Sequence, residues 1–151
     1  QHPLPTDQRA YTPVKDRIRN RYKANMPGEY LEKVIDQNME MYFGVDMYEE
    51  TSFFLLSFPA KVDSAQQRLV IEEASRQLME TKKLPEPATI TKNGISGFEY
   101  TITPGQQEKR LQVFYSNEVL VFAMCIRENT AIPSRHADRF FKELEILPGK
   151  E

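Results

Sequence analysis

The chain predicts an α+β fold: a single antiparallel sheet of about six or seven strands with helices on both faces, an α/β/α sandwich in the order β-β-β-α-β-β-β-β-α. Three observations carry this. Through most of the 151 residues, apolar and polar side chains alternate with period two, the period of a strand. Two segments change to the i, i+3, i+4 spacing of an amphipathic helix. The links between elements are short, and short links join antiparallel neighbours.

Residues 1–13, QHPLPTDQRAYTP, hold three prolines and little apolar periodicity. They read as an extended N-terminal arm ahead of one domain over 14–151. In RIRNRYKANMPGEY, Ile18, Tyr22, Ala24 and Met26 fall on even positions, and Arg17, Arg19, Arg21 and Lys23 on odd ones. The alternation favours a strand with a basic outer face over a helix, and Pro27-Gly28 closes it as a turn. In residues 32–50, Met39, Met41, Phe43 and Val45 alternate with polar neighbours. This is a second long strand, returning along the first as a hairpin. TSFFLLSF, at 51–58, is apolar on both faces, as a central strand is.

Residues 63–82 form the clearest helix. Ser64 and Gln67 have capping-box spacing, and Gln67, Val70, Ile71, Ala74 and Leu78 make the buried stripe, widened by Leu69 and Met79. Lys82 and Lys83 suit its negative end, while Pro85 and Pro87 prevent continuation. A four-strand meander follows, with turns at Asn93-Gly94 and Ser116-Asn117; EVLVFAMCIR is again apolar on both faces. The closing helix takes Ser134 as its cap. It turns Ala137, Phe140, Phe141 and Leu144 to the sheet and leaves His136, Arg139 and Lys142 to solvent. Glu145-Ile146-Leu147 returns as a short strand.

Composition narrows the chemistry. A net charge of −2 and a pI near 5.8 lack the basic excess of a nucleic-acid binder. No apolar run is long enough to span a membrane, although attachment to a membrane surface stays open. His2, His136 and Cys125 are the soft metal ligands, and no two have ligand spacing, so neither a metal nor a cofactor is expected. Cys125 sits in an apolar strand, where a thiol is inert. There is no GxSxG elbow, no phosphate-binding glycine loop and no facing pair of carboxylates. These absences point away from an enzyme.

Two groups of residues remain as candidate sites. Arg17, Arg19, Arg21 and Lys23 form a basic stripe that would suit an acidic partner or an anionic surface. The competing use is cross-strand pairing with Glu32, Asp36 or Glu40 on the returning strand, which the supply of acids favours. Met26, Met39, Met41, Phe43 and Phe54 could wall a pocket for a small apolar ligand, or serve as plain core.

The order of elements resembles the PsbP-like family, which includes an extrinsic photosystem II subunit, a Ran-binding import factor and short exported bacterial proteins of unknown role. RYKANMPGEYLEKV is similar to that family's opening strand and Pro-Gly turn. ITKNGISGFEYTITPGQQEKRLQVFYSNEVLVF is similar to its central meander, with Glu99 and Arg110 at matching places. ADRFFKELEI resembles its last helix, although Glu143 stands where a serine is common. The likeness spans residues 17–147 and transfers no catalytic residue. It implies a non-enzymatic, exported bacterial domain, periplasmic or extracellular; a cleaved signal peptide would leave a start such as Gln1, as would any other upstream cut. Such a domain would act as a protein-binding or envelope accessory module, monomeric or weakly dimeric. The alternative is a carrier or sensor of a small apolar ligand held between sheet and helix.

Overall fold

The computed structural model of the chain describes residues 11–36 and 39–149. Among them are ten strands and two helices: β1 (Tyr11–Lys15), β2 (Tyr22–Pro27), β3 (Glu29–Asp36), β4 (Met39–Asp46), β5 (Thr51–Pro59), α1 (Gln67–Met79), β6 (Ala88–Lys92), β7 (Ile95–Ile102), β8 (Glu108–Ser116), β9 (Val119–Arg127), α2 (His136–Glu143) and β10 (Glu145–Ile146). Every strand pairing is antiparallel, as the short links require.

The expectation of a single sheet is corrected. Seven strands form one sheet in the order β3-β4-β5-β9-β8-β7-β6, and three form a second, β1-β2-β10. In the second sheet, β2 and β10 fall on predicted strands, whereas β1 draws partly on residues assigned to the arm. Residues 11–13, assigned to an arm, begin β1, and the closing piece β10 pairs with the far side of β2. The rest of the arm lies outside the described residues. The stretch over 32–50 is also two segments, β3 and β4, which pair with each other, and β2 makes no hairpin with either. Gly28, at φ +67°, turns the chain from the small sheet into the large one, a conformation glycine adopts without steric cost.

The pleat of the large sheet separates two cores. Leu31, Phe43, Phe54, Met124, Leu111 and Tyr100 stand in register, one per strand from β3 to β7, and so share a face. Against the inner part of that face lies α1, whose Ile71 and Met79 pack with Leu111, Val113, Leu120, Phe122 and Met124. Residues of the opposite parity, among them Phe53, Leu55, Ala123 and Cys125, join Tyr22, Ala24 and Met26 of β2 and Phe140 and Phe141 of α2. Helix α2 therefore shares its layer with the small sheet. Each large apolar side chain fully buried here contributes about 1.5–3 kcal/mol.

Local chemistry departs from expectation at both helix starts. No side chain caps α1 at Gln66; Asp63 accepts the Gln66 N–H instead of the expected box from Ser64. Leu69 points to solvent, while Ser75 takes a buried place in the stripe. Before α2, Ser134 does accept the Ala137 N–H, at 3.3 Å. His136, expected at the surface, is 2% exposed.

Candidate functional site

The turn between β4 and β5, residues 46–50, gathers most of the unexplained chemistry. Asp46 starts it by accepting the N–H groups of Tyr48 (3.0 Å) and Glu49 (3.3 Å) on Oδ1, an Asx-type turn. Glu50 closes it in the left-handed region at φ 50°, with its carbonyl accepting the Glu128 N–H. The two acids go inward and the two large side chains between them go outward. Met47 is 81% exposed and Tyr48 59%.

Beneath the turn the Glu49 carboxylate takes three donors from the start of α2: the Ser134 hydroxyl (3.2 Å), the Arg135 N–H (3.2 Å) and the His136 N–H (3.4 Å). A negative group there also meets the positive end of the helix. Asp46 Oδ2 lies 3.2 Å from His136 Nε2, and the Tyr11 hydroxyl meets His136 Nδ1. With Nε2 protonated, the imidazole donates to Asp46 and accepts from Tyr11. Arg139 lies over the Tyr11 ring at 3.6 Å. Burial, the largest effect on this phenol, pushes its pKa up to about 12, so it stays protonated.

This network joins β1, the β4–β5 turn and α2. Asp46, Glu49 and His136 bring ligand atoms within 4.8 Å of one another, a donor set a metal could use by type. The atom best placed to bind one, His136 Nε2, already faces Asp46. A Tyr–His–Asp chain also has the members of a proton relay, but its imidazole is shut away from any substrate. What the arrangement does is hold the turn, and with it Met47 and Tyr48, against the start of α2.

The predicted basic stripe takes a different form. Arg17, Arg19 and Arg21 precede β2 and lie in a turn, not on a strand face. Asp16 makes that turn by accepting the N–H groups of Ile18, Arg19 and Arg21, and Asn20 adopts φ 56°. Arg17 pairs with Glu32 (2.5 Å) and Glu40 (3.5 Å), the cross-strand acids weighed against an interface. Arg21 is buried, donating to the carbonyls of Ser116 (2.6 Å) and Asn117 (2.9 Å), and burial lowers its pKa. Gly149 packs so closely on this guanidinium that a Cβ there would collide with it. Arg19 is half-buried, and these three line a groove of about 620 Å³ with Leu147 and Pro148. Only Lys23 lies on β2, exposed, in register with Glu145.

The apolar set splits between the cores. Met26 is fully buried beside the small sheet. Met39 is half-buried at the start of β4. Met41, Phe43 and Phe54 belong to the α1 face: Phe43 and Phe54 rings lie 4.9 Å apart, and Met41 and Phe54 line a groove of about 360 Å³ at the end of α1.

Sequence reasoning missed the Asp46–Glu49–His136 group because its members are separated by nearly ninety positions. The signal available was local: an Asp and a Glu three apart in a tight turn, flanking two large side chains.

No protein-family model and no curated protein matches the chain. Among solved structures, it is similar to the solution structure of cyanobacterial PsbP (CyanoP) from Synechocystis sp. PCC 6803, at 8% identity and a TM-score of 0.59, covering 91% of this chain and 92% of that one. A crystal structure from Bacteroides thetaiotaomicron VPI-5482 aligns at 10% identity and a TM-score of 0.49, over 83% of this chain and 45% of that one. With nearly complete coverage of both chains in the first comparison, and the meander and last helix in the places the sequence assigned them, the chain has the PsbP-like fold.

Proposed function

We propose that the chain is a non-enzymatic accessory domain of an exported bacterial protein, binding another protein through the corner formed by the β4–β5 turn and the β3 edge. One observation carries the reading. Of the six large apolar residues exposed among those described, four lie at this corner: Leu31, Val45, Met47 and Tyr48. Scattered exposed apolar residues are ordinary, whereas a contiguous group of them marks an interaction site. The buried network below keeps the turn in place before any partner arrives, which reduces the ordering cost of association. Burial of His136 and Cys125 supports the non-enzymatic part.

The test is co-purification from the envelope fraction of the source cells with a Met47→Asp/Tyr48→Asp variant as comparison. The expected result is loss of the partner bound by the wild type, with the melting temperature unchanged because both side chains are exposed. A partner retained by the double variant refutes the corner as the interface. An Arg17→Glu/Arg19→Glu variant, run alongside, addresses the basic turn; retention of the partner there is expected, since Arg17 is already paired.

A second reading, as a carrier of a small apolar ligand, is favoured by the groove between α1 and the sheet. Its volume falls within the range of about 300–1,000 Å³ usual for ligand sites. Binding of an N-phenylnaphthylamine probe, abolished by Leu78→Trp, would support this reading.

A further inference from the structure

The group beneath the β4–β5 turn has both the donor types and the spacing of a metal site. Asp46, Glu49 and His136 are 3%, 5% and 2% exposed, and one ligand atom from each lies within 4.8 Å of the others. His136 Nε2 and Asp46 Oδ2 are 3.2 Å apart. Two metal bonds of about 2.0–2.1 Å meeting at the tetrahedral angle set neighbouring ligands about 3.3–3.4 Å apart, so this pair already stands at ligand spacing. Glu49 holds its three donors at 3.2, 3.2 and 3.4 Å, longer than the roughly 2.5–2.9 Å of tight charge-assisted bonds. Its side chain can turn one oxygen inward while the other keeps the donors of the helix start. The imidazole is oriented from behind: the Tyr11 hydroxyl meets Nδ1, an outer-shell hydrogen bond of the kind ligating histidines have. With a cation on Nε2 the ring proton sits on Nδ1 and is donated to the Tyr11 oxygen, so the same contact serves.

We propose that Asp46, Glu49 and His136 bind one divalent cation of the zinc type, which clamps the β4–β5 turn to the start of α2. One imidazole and two carboxylates suit zinc, with a water as fourth ligand. They supply too few oxygens for calcium, which takes about 6–8. The two carboxylate charges match a divalent ion, and buried charges are paired or coordinate metals. The sequence shows no ligand spacing because Glu49 and His136 are 87 positions apart and meet only in the fold.

This inference does not rest on the partner corner, and its test needs only the purified full chain. Chain stripped with a chelator is titrated with Zn²⁺ in competition with a chromophoric chelator, and with Co²⁺ read by visible absorption; thermal unfolding is followed with and without Zn²⁺. One ion per chain and a raised melting temperature are expected. Asp46→Asn keeps the oxygen that accepts the Tyr48 and Glu49 N–H groups but removes a ligand charge. It should weaken zinc binding at least about 100-fold, and Tyr11→Phe, which removes only the outer-shell contact, about 10–100-fold. Both are read on protein with the circular dichroism of wild type, and Tyr11→Phe decides the matter if Asp46→Asn does not fold. His2→Ala should bind as wild type does. A wild-type chain that takes up no stoichiometric Zn²⁺ or Co²⁺ overturns the proposal. So does binding that is indifferent to Asp46→Asn and Tyr11→Phe, and so does binding lost in His2→Ala.

Discussion

Replacing Glu49 by alanine tests whether the buried network holds the β4–β5 turn. The carboxylate accepts from the Ser134 hydroxyl, the Arg135 N–H and the His136 N–H at 3.2, 3.2 and 3.4 Å. A hydrogen bond to a charged group contributes about 1.5–3 kcal/mol at good geometry. These are long, and Arg135 is exposed, so each belongs at or below the bottom of that range. Charge at the helix start adds about 0.3–1 kcal/mol. The expected loss is about 2–4 kcal/mol, or about 5–12 °C in melting temperature for a domain of this size. Glu49→Gln keeps an acceptor oxygen and should fall between the two. The assay is thermal unfolding by circular dichroism, joined with hydrogen exchange at the first turn of α2. A Glu49→Ala melting temperature within about 2 °C of wild type would refute the argument, since no hydrogen-bonded anchor of this kind is lost so cheaply.

Phe140 packs against Phe53 at 5.1 Å and Phe141 at 5.2 Å with no exposure, so Phe140→Ala should cost about 3–5 kcal/mol in urea unfolding; a loss under about 1 kcal/mol would mean that α2 faces the other way. Burial pushes the Cys125 thiol up to about 12, so alkylation near pH 8 should proceed only as fast as the protein opens; prompt labelling in native buffer would contradict its placement. Burial, partly offset by Arg17, raises the Glu40 carboxyl above its ordinary 4.5. The folded state then holds this proton more tightly than the unfolded state, and stability falls as pH rises from 4.5 to the raised value. Glu40→Gln should remove that decline and be relatively better at about pH 8 than at pH 4; the opposite trend would show the carboxylate is stabilised as an anion.

What was legible in the sequence was what neighbouring residues decide. The meander from Ala88 to Arg127, with its turns at Asn93-Gly94 and Asn117, follows from alternation and turn residues alone. Helix α1 and the inward faces of Tyr22, Ala24, Met26, Phe140 and Phe141 follow from periodicity. The split into two sheets was not legible, because strand partners are chosen by long-range packing that no local pattern encodes. Alternation at Arg17, Arg19 and Arg21 looked like a strand face, but Asp16, one residue upstream, captures three backbone N–H groups and makes a turn. His136 lay on the polar side of a helical wheel; it is buried because the β4–β5 turn, distant in sequence, brings Asp46 against it.

The bare part of the α1 face follows from the dimensions of the elements. Seven strands about 4.8 Å apart span about 29 Å, and strands of eight residues run about 26 Å, giving a face of roughly 750 Å². A helix of 13 residues is about 20 Å long and 10 Å wide, and shields roughly 200 Å² directly. The other helix among the described residues, α2, lies in the opposite core with the small sheet. Residues of α1 reach Phe122, Met124 and Leu111, so the shortfall is concentrated over β3 and β4, where Leu31, Phe43 and Val45 stand. Leu31 is largely exposed, whereas Phe43 stays half-buried against the Phe54 ring. Leu31 and Val45 stay apolar in this bare part although both are exposed, and that retained apolar surface is what supports a partner at the corner.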